Sequence, residues 1–181
     1  MNQKQGKKKL RKSILDERLL LSKSLIEQKS QVICNNINSL LHSCSFTTIG
    51  FYSPIQNEVD ISYLVPNLLE NKKIIVYPKI EANDDTIHFY SVTDLKKDFI
   101  LGKYNILEPV TKQEISSEQI DILLIPGILF DITGNRIGYG KGIMINICLP
   151  ILFLLLGLHM IFRFWMEKRA FHLKNKIRKW I

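Results

Sequence analysis

The sequence predicts an α/β fold built on a mainly parallel sheet covered on both faces. Short runs of almost uninterrupted β-branched, aliphatic and aromatic residues recur at 47–52 (TTIGFY), 73–79 (KIIVYPK) and 120–127 (IDILLIPG), as expected of strands buried on both sides. Stretches with helical spacing precede and separate them, the alternation that builds a parallel sheet. The strongest of these strands closes at Pro126-Gly127 and opens into a long polar segment rich in glycine. In open α/β sheets ligands bind beyond the carboxyl ends of the strands, so this segment is the first candidate for a site.

Taken in order, residues 7–29 read as a helix with Leu10, Ile14, Leu21 and Leu25 on one face and basic residues elsewhere. A second helical stretch carries Val32, Ile33, Ile37, Leu40 and Leu41 on one side. The period then changes at TTIGFY, whose strand exits through Ser53-Pro54. The stretch VDISYLVPNLLENKK (59–73) has helical spacing despite Pro66, KIIVYPK is the second strand, and TIHFYSV (86–92) reads as a third. No internal repeat or low-complexity tract interrupts the chain.

Composition bounds the function. A chain of 181 residues fits one domain and can bury a core without disulfide or metal staples. Cys34, Cys44 and Cys148 are odd in number and scattered, which points to a reducing compartment. Leu19, Leu20 and Leu21 sit between charges, so no secretory signal is expected. The net charge of +8 is uneven: residues 1–142 carry +2, and residues 143–181 carry +6 with Glu167 as their one acid. The basic balance therefore belongs to the last 39 residues and does not mark the domain before them as a nucleic-acid binder. His42, His88, His159 and His172 lack metal-ligand spacing, and no metal site is assigned.

Two basic stretches could carry chemistry. In GNRIGYGKG (134–142) four glycines let the backbone approach an anion, while Arg136 and Lys141 supply charge. The segment is neither a Walker loop nor a dinucleotide fingerprint, and a flexible surface loop is the competing interpretation. In KKKLR (7–11), Lys7 and Arg11 lie one helical turn apart and can reach a common anion; a solvated helix end is the competing interpretation. Glu58, in NEVD just past a strand end, can accept hydrogen bonds from a polar substrate edge or simply be solvated.

Together KKKLRKSILDER, FYSPIQNEVD, VYPKI, LGKYNILEP and DILLIPGILFDITGNRIGYGKG, in that order across residues 7–142, resemble the 5-formyltetrahydrofolate cyclo-ligase family. The resemblance implies a three-layer αβα, Rossmann-like fold, with ATP and magnesium as cofactors. It further implies that ATP phosphorylates the formyl oxygen of 5-formyltetrahydrofolate, that N10 attacks the activated carbon, and that phosphate leaves to give 5,10-methenyltetrahydrofolate. Carried over residue by residue, Lys7, Lys8, Lys9, Leu10 and Arg11 resemble the N-terminal ATP contacts. Arg136, Ile137, Gly138, Tyr139, Gly140, Lys141 and Gly142 resemble the phosphate loop, with Arg136 and Lys141 the catalytic cations. Glu58 resembles the folate-binding carboxylate, and Tyr52 is a second substrate candidate beside it. The residue types agree, since phosphoryl transfer needs cations and backbone donors more than a covalent nucleophile.

After Gly-Lys-Gly the family continues into Tyr-Tyr-Asp and a basic residue, the Asp serving as a magnesium ligand. Here Gly142 is followed by Ile143, Met144 and Ile145. Back-translation explains the stop. Residues 143–148 can be written ATT ATG ATA AAT ATT TG; begun one base earlier, on the third base of a GGT codon for Gly142, the string encodes Tyr-Tyr-Asp-Lys-Tyr-Leu. At the same offset residues 158–163 can encode Ala-Tyr-Asp-Phe-Gln, a family strand, and residues 168–177 a family-like late Leu-Pro and Asp-Lys stretch. Three windows in order at one offset point to a reading-frame change near Gly142. The expected organisation is an incomplete cyclo-ligase domain over 1–142 and an out-of-frame apolar and basic tail over 143–181, with an unpaired sheet edge where a C-terminal strand is lost. The alternative takes residues 143–162, where Asn146 and His159 are the strongly polar members, as a single-pass anchor below a cytosolic head. A cytoplasmic monomer is expected, its partners folate and ATP rather than nucleic acid.

Overall fold

The computed structural model describes residues 3–81, 86–102, 105–130, 136–140 and 152–154. The chain opens with helices α1 (Gln3–Leu19) and α2 (Lys23–Leu41). One helix through 7–29 was expected; the break instead falls at residues 20–22. Ser22 adopts extended dihedrals and its hydroxyl accepts from the Leu25 N–H at 3.3 Å, capping a new helix that runs on through the second predicted stretch. The leucine run over this junction obscures the cap in the sequence, and Leu20 is 85% exposed.

Strand β1 (Thr48–Gly50) follows, then a 3-10 turn at Ser62–Leu64 that runs into α3 (Val65–Glu70), with Pro66 in the first helical turn where its missing N–H costs nothing. Strands β2 (Ile74–Ile80) and β3 (Ile87–Ser91) come next, then a small hairpin of β4 (Phe99–Leu101) with β5 (Leu107–Pro109). The described part closes with β6 (Glu114–Ile115), β7 (Ile122–Leu124), the β8 (Leu129–Phe130) and β9 (Arg136–Ile137) pair, and β10 (Leu152–Leu154).

The main sheet has the order β10-β7-β1-β2-β3-β6. It is mixed rather than mainly parallel: β10, β7, β1 and β2 run parallel, whereas β3 is antiparallel to both β2 and β6. Connection length decides this. The β1–β2 link contains α3 and can cross over, but only residues 81–86 join β2 to β3, too few to bring a strand back in the same direction. The uninterrupted apolar runs do reflect burial on both faces. Ile75, Tyr77, Ile122 and Leu124 pack with Ile33, Ile37 and Leu41 of α2 and Val65 and Leu68 of α3, while the alternate residues Val76 and Leu123 join Phe89 and Ile120 in a second cluster. Asp121 ties the strand starts together, its Oδ2 accepting from the backbone N–H groups of Thr47 and Thr48 at 2.7 and 2.9 Å.

The sheet edge expected to stand unpaired beside β7 is occupied. Leu152, Phe153 and Leu154 pair in parallel with Ile122, Leu123 and Leu124. An apolar segment satisfies the free backbone groups of a buried edge strand, which explains the pairing whatever the segment's origin. A strand at 152–154 is also incompatible with one continuous membrane helix through 143–162, and among the described residues no helix is long and apolar enough to cross a membrane.

At the centre of the sheet Gly50 is closely packed, and a methyl built on it would collide with the fully buried Leu123 Cδ1. Gly50→Ala is therefore expected to destabilise the fold by about 1–3 kcal/mol through overpacking, read as a lower urea midpoint at unchanged m-value.

Candidate functional site

Strand β1 lies between β2 and β7, so the connections leaving β1 and β7 diverge to opposite sides and open a crevice at their carboxyl ends. Three segments meet there: the β1 exit (51–60), the β7 exit with β9 and residues 138–140, and the face of α1 carrying Arg11 and Arg18.

The β1 exit turns sharply. Gln56 and Asn57 both have positive φ, 48° and 59°, the pattern of a type I′ turn, and the Glu58 N–H donates to the Ile55 carbonyl at 2.9 Å. Holding two non-glycine residues there costs free energy, and the turn is held by its surroundings. The Asn57 side-chain amide donates to the Arg18 carbonyl at 3.1 Å, docking the turn on the end of α1. Tyr52 supports it from beneath, its hydroxyl donating to the Val59 carbonyl at 2.8 Å; burial pushes the phenol well above its usual pKa, and the nearby Glu58 charge adds to this.

This turn aims Glu58 inward, and it is only 3% exposed. Its Oε2 accepts from the Ile55 N–H at 3.0 Å and its Oε1 from the Tyr139 hydroxyl at 2.9 Å. Burial raises the carboxyl above the ordinary value of 4.5; the Ile55 hydrogen bond, the Arg18 charge and the Tyr139 hydrogen bond pull it back. Tyr139 is half-buried and also accepts from Arg18 Nη2 at 2.5 Å, while Arg18 Nη1 donates to the Gly127 carbonyl at 3.3 Å. Arg18 is 7% exposed, and among the described residues its Nε has no hydrogen-bond partner. A second buried carboxylate, Glu108 on β5, likewise leaves Oε1 without a partner among the described residues.

The basic candidates divide. Lys7, Lys8 and Lys9 are exposed along α1 and Leu10 is half-buried. Arg11 Nε donates to the Gly138 carbonyl at 2.7 Å, and its guanidinium lies over Gly140, whose φ of +87° and close approach both suit glycine. Arg136 is half-buried and donates from Nη1 to the Pro126 carbonyl at 3.0 Å, burial lowering its pKa; Ile137 pairs with Leu129. Lys141 and Gly142 lie outside the described residues, as do Asp131 and residues 143–151. The structure thus brings Arg11, Arg136, Ile137, Gly138, Tyr139 and Gly140 together with Glu58 and Tyr52, and leaves Lys7–Lys9 on the solvent side of α1. Sequence reasoning missed Arg18 and Asn57. For Arg18 a signal existed, since it lies seven residues after Arg11 with Ile14 between them on the same helix face.

Among the described residues no three His, Cys, Asp or Glu side chains gather as metal ligands. Residues 143–145, where the resemblance puts a magnesium ligand, are Ile, Met and Ile, and Asp131 lies outside the described residues.

At the switch point of this α/β sheet a buried carboxylate held by one backbone N–H and one phenol lies near a loop that two arginines bond, the kind of concave polar place where such folds bind ligands. The comparisons give that class its family. A profile of the 5-formyltetrahydrofolate cyclo-ligase family matches residues 3–145, and the chain belongs to that family. The 5-formyltetrahydrofolate cyclo-ligase of Mycoplasma pneumoniae is 33% identical over 140 residues, covering 75% of this chain and 73% of the relative. The mouse enzyme of the same name is 28% identical over 100 residues, and there the chain spans about half the relative's length, 49%. The solution structure of the Aquifex aeolicus 5,10-methenyltetrahydrofolate synthetase superposes with a TM-score of 0.71 at 32% identity, covering 81% of this chain and 75% of that one.

Because the folded chain holds the Glu58 proton more tightly than an unfolded one, the stability linked to this group is full below 4.5 and lost as pH rises through the folded value. Tyr139→Phe removes one of the bonds that pull the carboxyl down, so its titration midpoint should move further up. Carbon-13 shifts of the Glu58 carboxyl against pH measure both; a midpoint at the ordinary value would contradict the burial argument.

Proposed function

We propose that this chain carries the nucleotide and folate half-sites for ATP-dependent cyclisation of 5-formyltetrahydrofolate to 5,10-methenyltetrahydrofolate, with release of ADP and phosphate. The observation that carries the reading is the convergence of Glu58 and the 136–140 loop at one crevice, tied through the Tyr139 hydroxyl. The Glu58 carboxylate has acceptor capacity left beyond Ile55 and Tyr139 and suits the N–H donors of a pterin ring. The glycine-rich loop supplies backbone donors, and Arg136 and Lys141 supply charge, where the phosphoryl group moves from ATP to the formyl oxygen. One of the five donors of Arg136 is spent on Pro126, which orients the rest. N10 then closes on the activated carbon as phosphate departs. Tyr52 acts by supporting the turn that aims Glu58.

The same reading places the chain in a three-layer αβα enzyme acting as a cytoplasmic monomer, with residues 1–142 as the cyclo-ligase domain and 143–181 as an out-of-frame tail. The family's magnesium carboxylate falls at the frame change. With Ile143, Met144 and Ile145 in its place no step is assigned to a metal, and turnover is impaired. Sequencing the DNA around the Gly142 codon tests the origin of the tail directly.

Glu58→Ala should weaken 5-formyltetrahydrofolate binding, and Arg136→Ala and Lys141→Ala should weaken binding of a non-hydrolysable ATP analogue, each by about 1.5–3 kcal/mol for a charge-assisted contact. Calorimetry measures these; unchanged nucleotide affinity in both cation variants would reduce the loop to a surface feature.

Restoring one base near the Gly142 codon should raise soluble yield and ATP-dependent formation of methenyltetrahydrofolate together. A restored-frame protein that stays insoluble and inactive, while the present chain partitions stably into membranes, would overturn the frame-change account.

A further inference from the structure

Arg18 has no role in the reading above, and its environment is not that of an ordinary core arginine. It lies near the end of α1, where the helix dipole favours a cation, and is 7% exposed. One Nη donates to the Gly127 carbonyl where β7 ends, the other to the Tyr139 hydroxyl, and Nε–H is buried with no partner among the described residues. A buried unpaired donor is costly and is retained where something other than stability is served.

The direction of the Tyr139 hydrogen bonds follows from chemistry. Arginine has no acceptor, so the phenol oxygen accepts from Arg18 and must give its single proton to Glu58. Tyr139 cannot move independently of the loop. Arg11 holds the carbonyl of Gly138 on one side, and its guanidinium covers Gly140 on the other. The loop's conformation therefore sets where the phenol sits, and the phenol sets one of the two hydrogen bonds that aim the Glu58 carboxylate. Asn57 closes the circuit, its amide reaching from the Glu58 turn to the Arg18 carbonyl.

Resting on the proposed assignment of the loop to nucleotide and Glu58 to folate, we infer that Arg18 is a positioning residue that, through the Tyr139 hydroxyl, makes the two ligands bind with positive coupling. An anion that orders the 136–140 loop fixes the phenol against Glu58, and a ring held by Glu58 fixes the loop for the anion. Linkage requires the same factor in both directions.

The test measures the affinity of the full chain for 5-formyltetrahydrofolate with and without saturating non-hydrolysable ATP analogue, then the reverse, by calorimetry. The expected wild-type coupling factor is about fivefold or more, equal in both directions. In Tyr139→Phe, which deletes one oxygen, the factor should fall to about one. Arg18→Met should do the same, whereas Arg18→Lys, which keeps the charge but not the two-pronged geometry, should retain part of it. A role confined to fold stability would lower both single-ligand affinities yet leave the ratio intact. A wild-type factor near one, or an unchanged factor in Tyr139→Phe with both ligands bound, overturns the coupling and leaves the functional assignment standing. Failure of the wild-type chain to bind either ligand overturns that assignment and the coupling with it. If Arg18→Met does not fold, the Tyr139→Phe result alone decides.

Discussion

A carboxylate removed from water must be given hydrogen bonds and a nearby cation or it will take up a proton, and the site around Glu58 is organised by that constraint. The turn at 55–58 supplies a backbone N–H, Tyr139 supplies a hydroxyl, and Arg18 supplies the charge one bond further out. None of the three donors comes from the same element. The first belongs to the exit of β1, the second to the exit of β7 and the third to α1, so satisfying the buried Glu58 carboxyl also ties these pieces to one another. The positive φ of Gln56 and Asn57 is the local cost of aiming the carboxylate, offset in part where Asn57 docks onto the end of α1.

The sheet makes this convergence possible. With β1 between β2 and β7, the chain leaves the centre of the sheet in two directions, and the space between the departures is where backbone donors and arginines can face a ligand. Arg11 and Arg136 do not project loosely into that space. Each is anchored on a carbonyl, Gly138 and Pro126 respectively, which orients the remaining donors as the proposed phosphoryl transfer would require. The family's profile ends at residue 145, shortly after the residue-level resemblance stops at Gly142. The apolar segment beyond it nonetheless lends three residues to the edge of β7, because buried edge strands accept any apolar partner of suitable length.

The α/β class and the strands at 48–50, 74–80 and 122–124 were legible in the sequence because burial on both faces leaves local compositional marks. The strand at 87–91 was legible too, but its antiparallel direction and the small hairpins were not, since strand direction depends on how far a connection must travel rather than on what the strand contains. The cap at Ser22 was hidden by leucines that suit a helix on either side of it.

For the site, the sequence by itself marked the side chains whose chemistry suits an anion or a polar ring: Lys7, Arg11, Arg136, Lys141, the glycines and Glu58. Only the tertiary structure decided that Glu58 would be buried, that Tyr139 from 81 residues away would hold it, and that Arg18 would stand behind Tyr139. A buried arginine and an exposed one read alike in a helical pattern. What separates them is the desolvation imposed by segments distant in the chain, and no spacing rule within one helix records that.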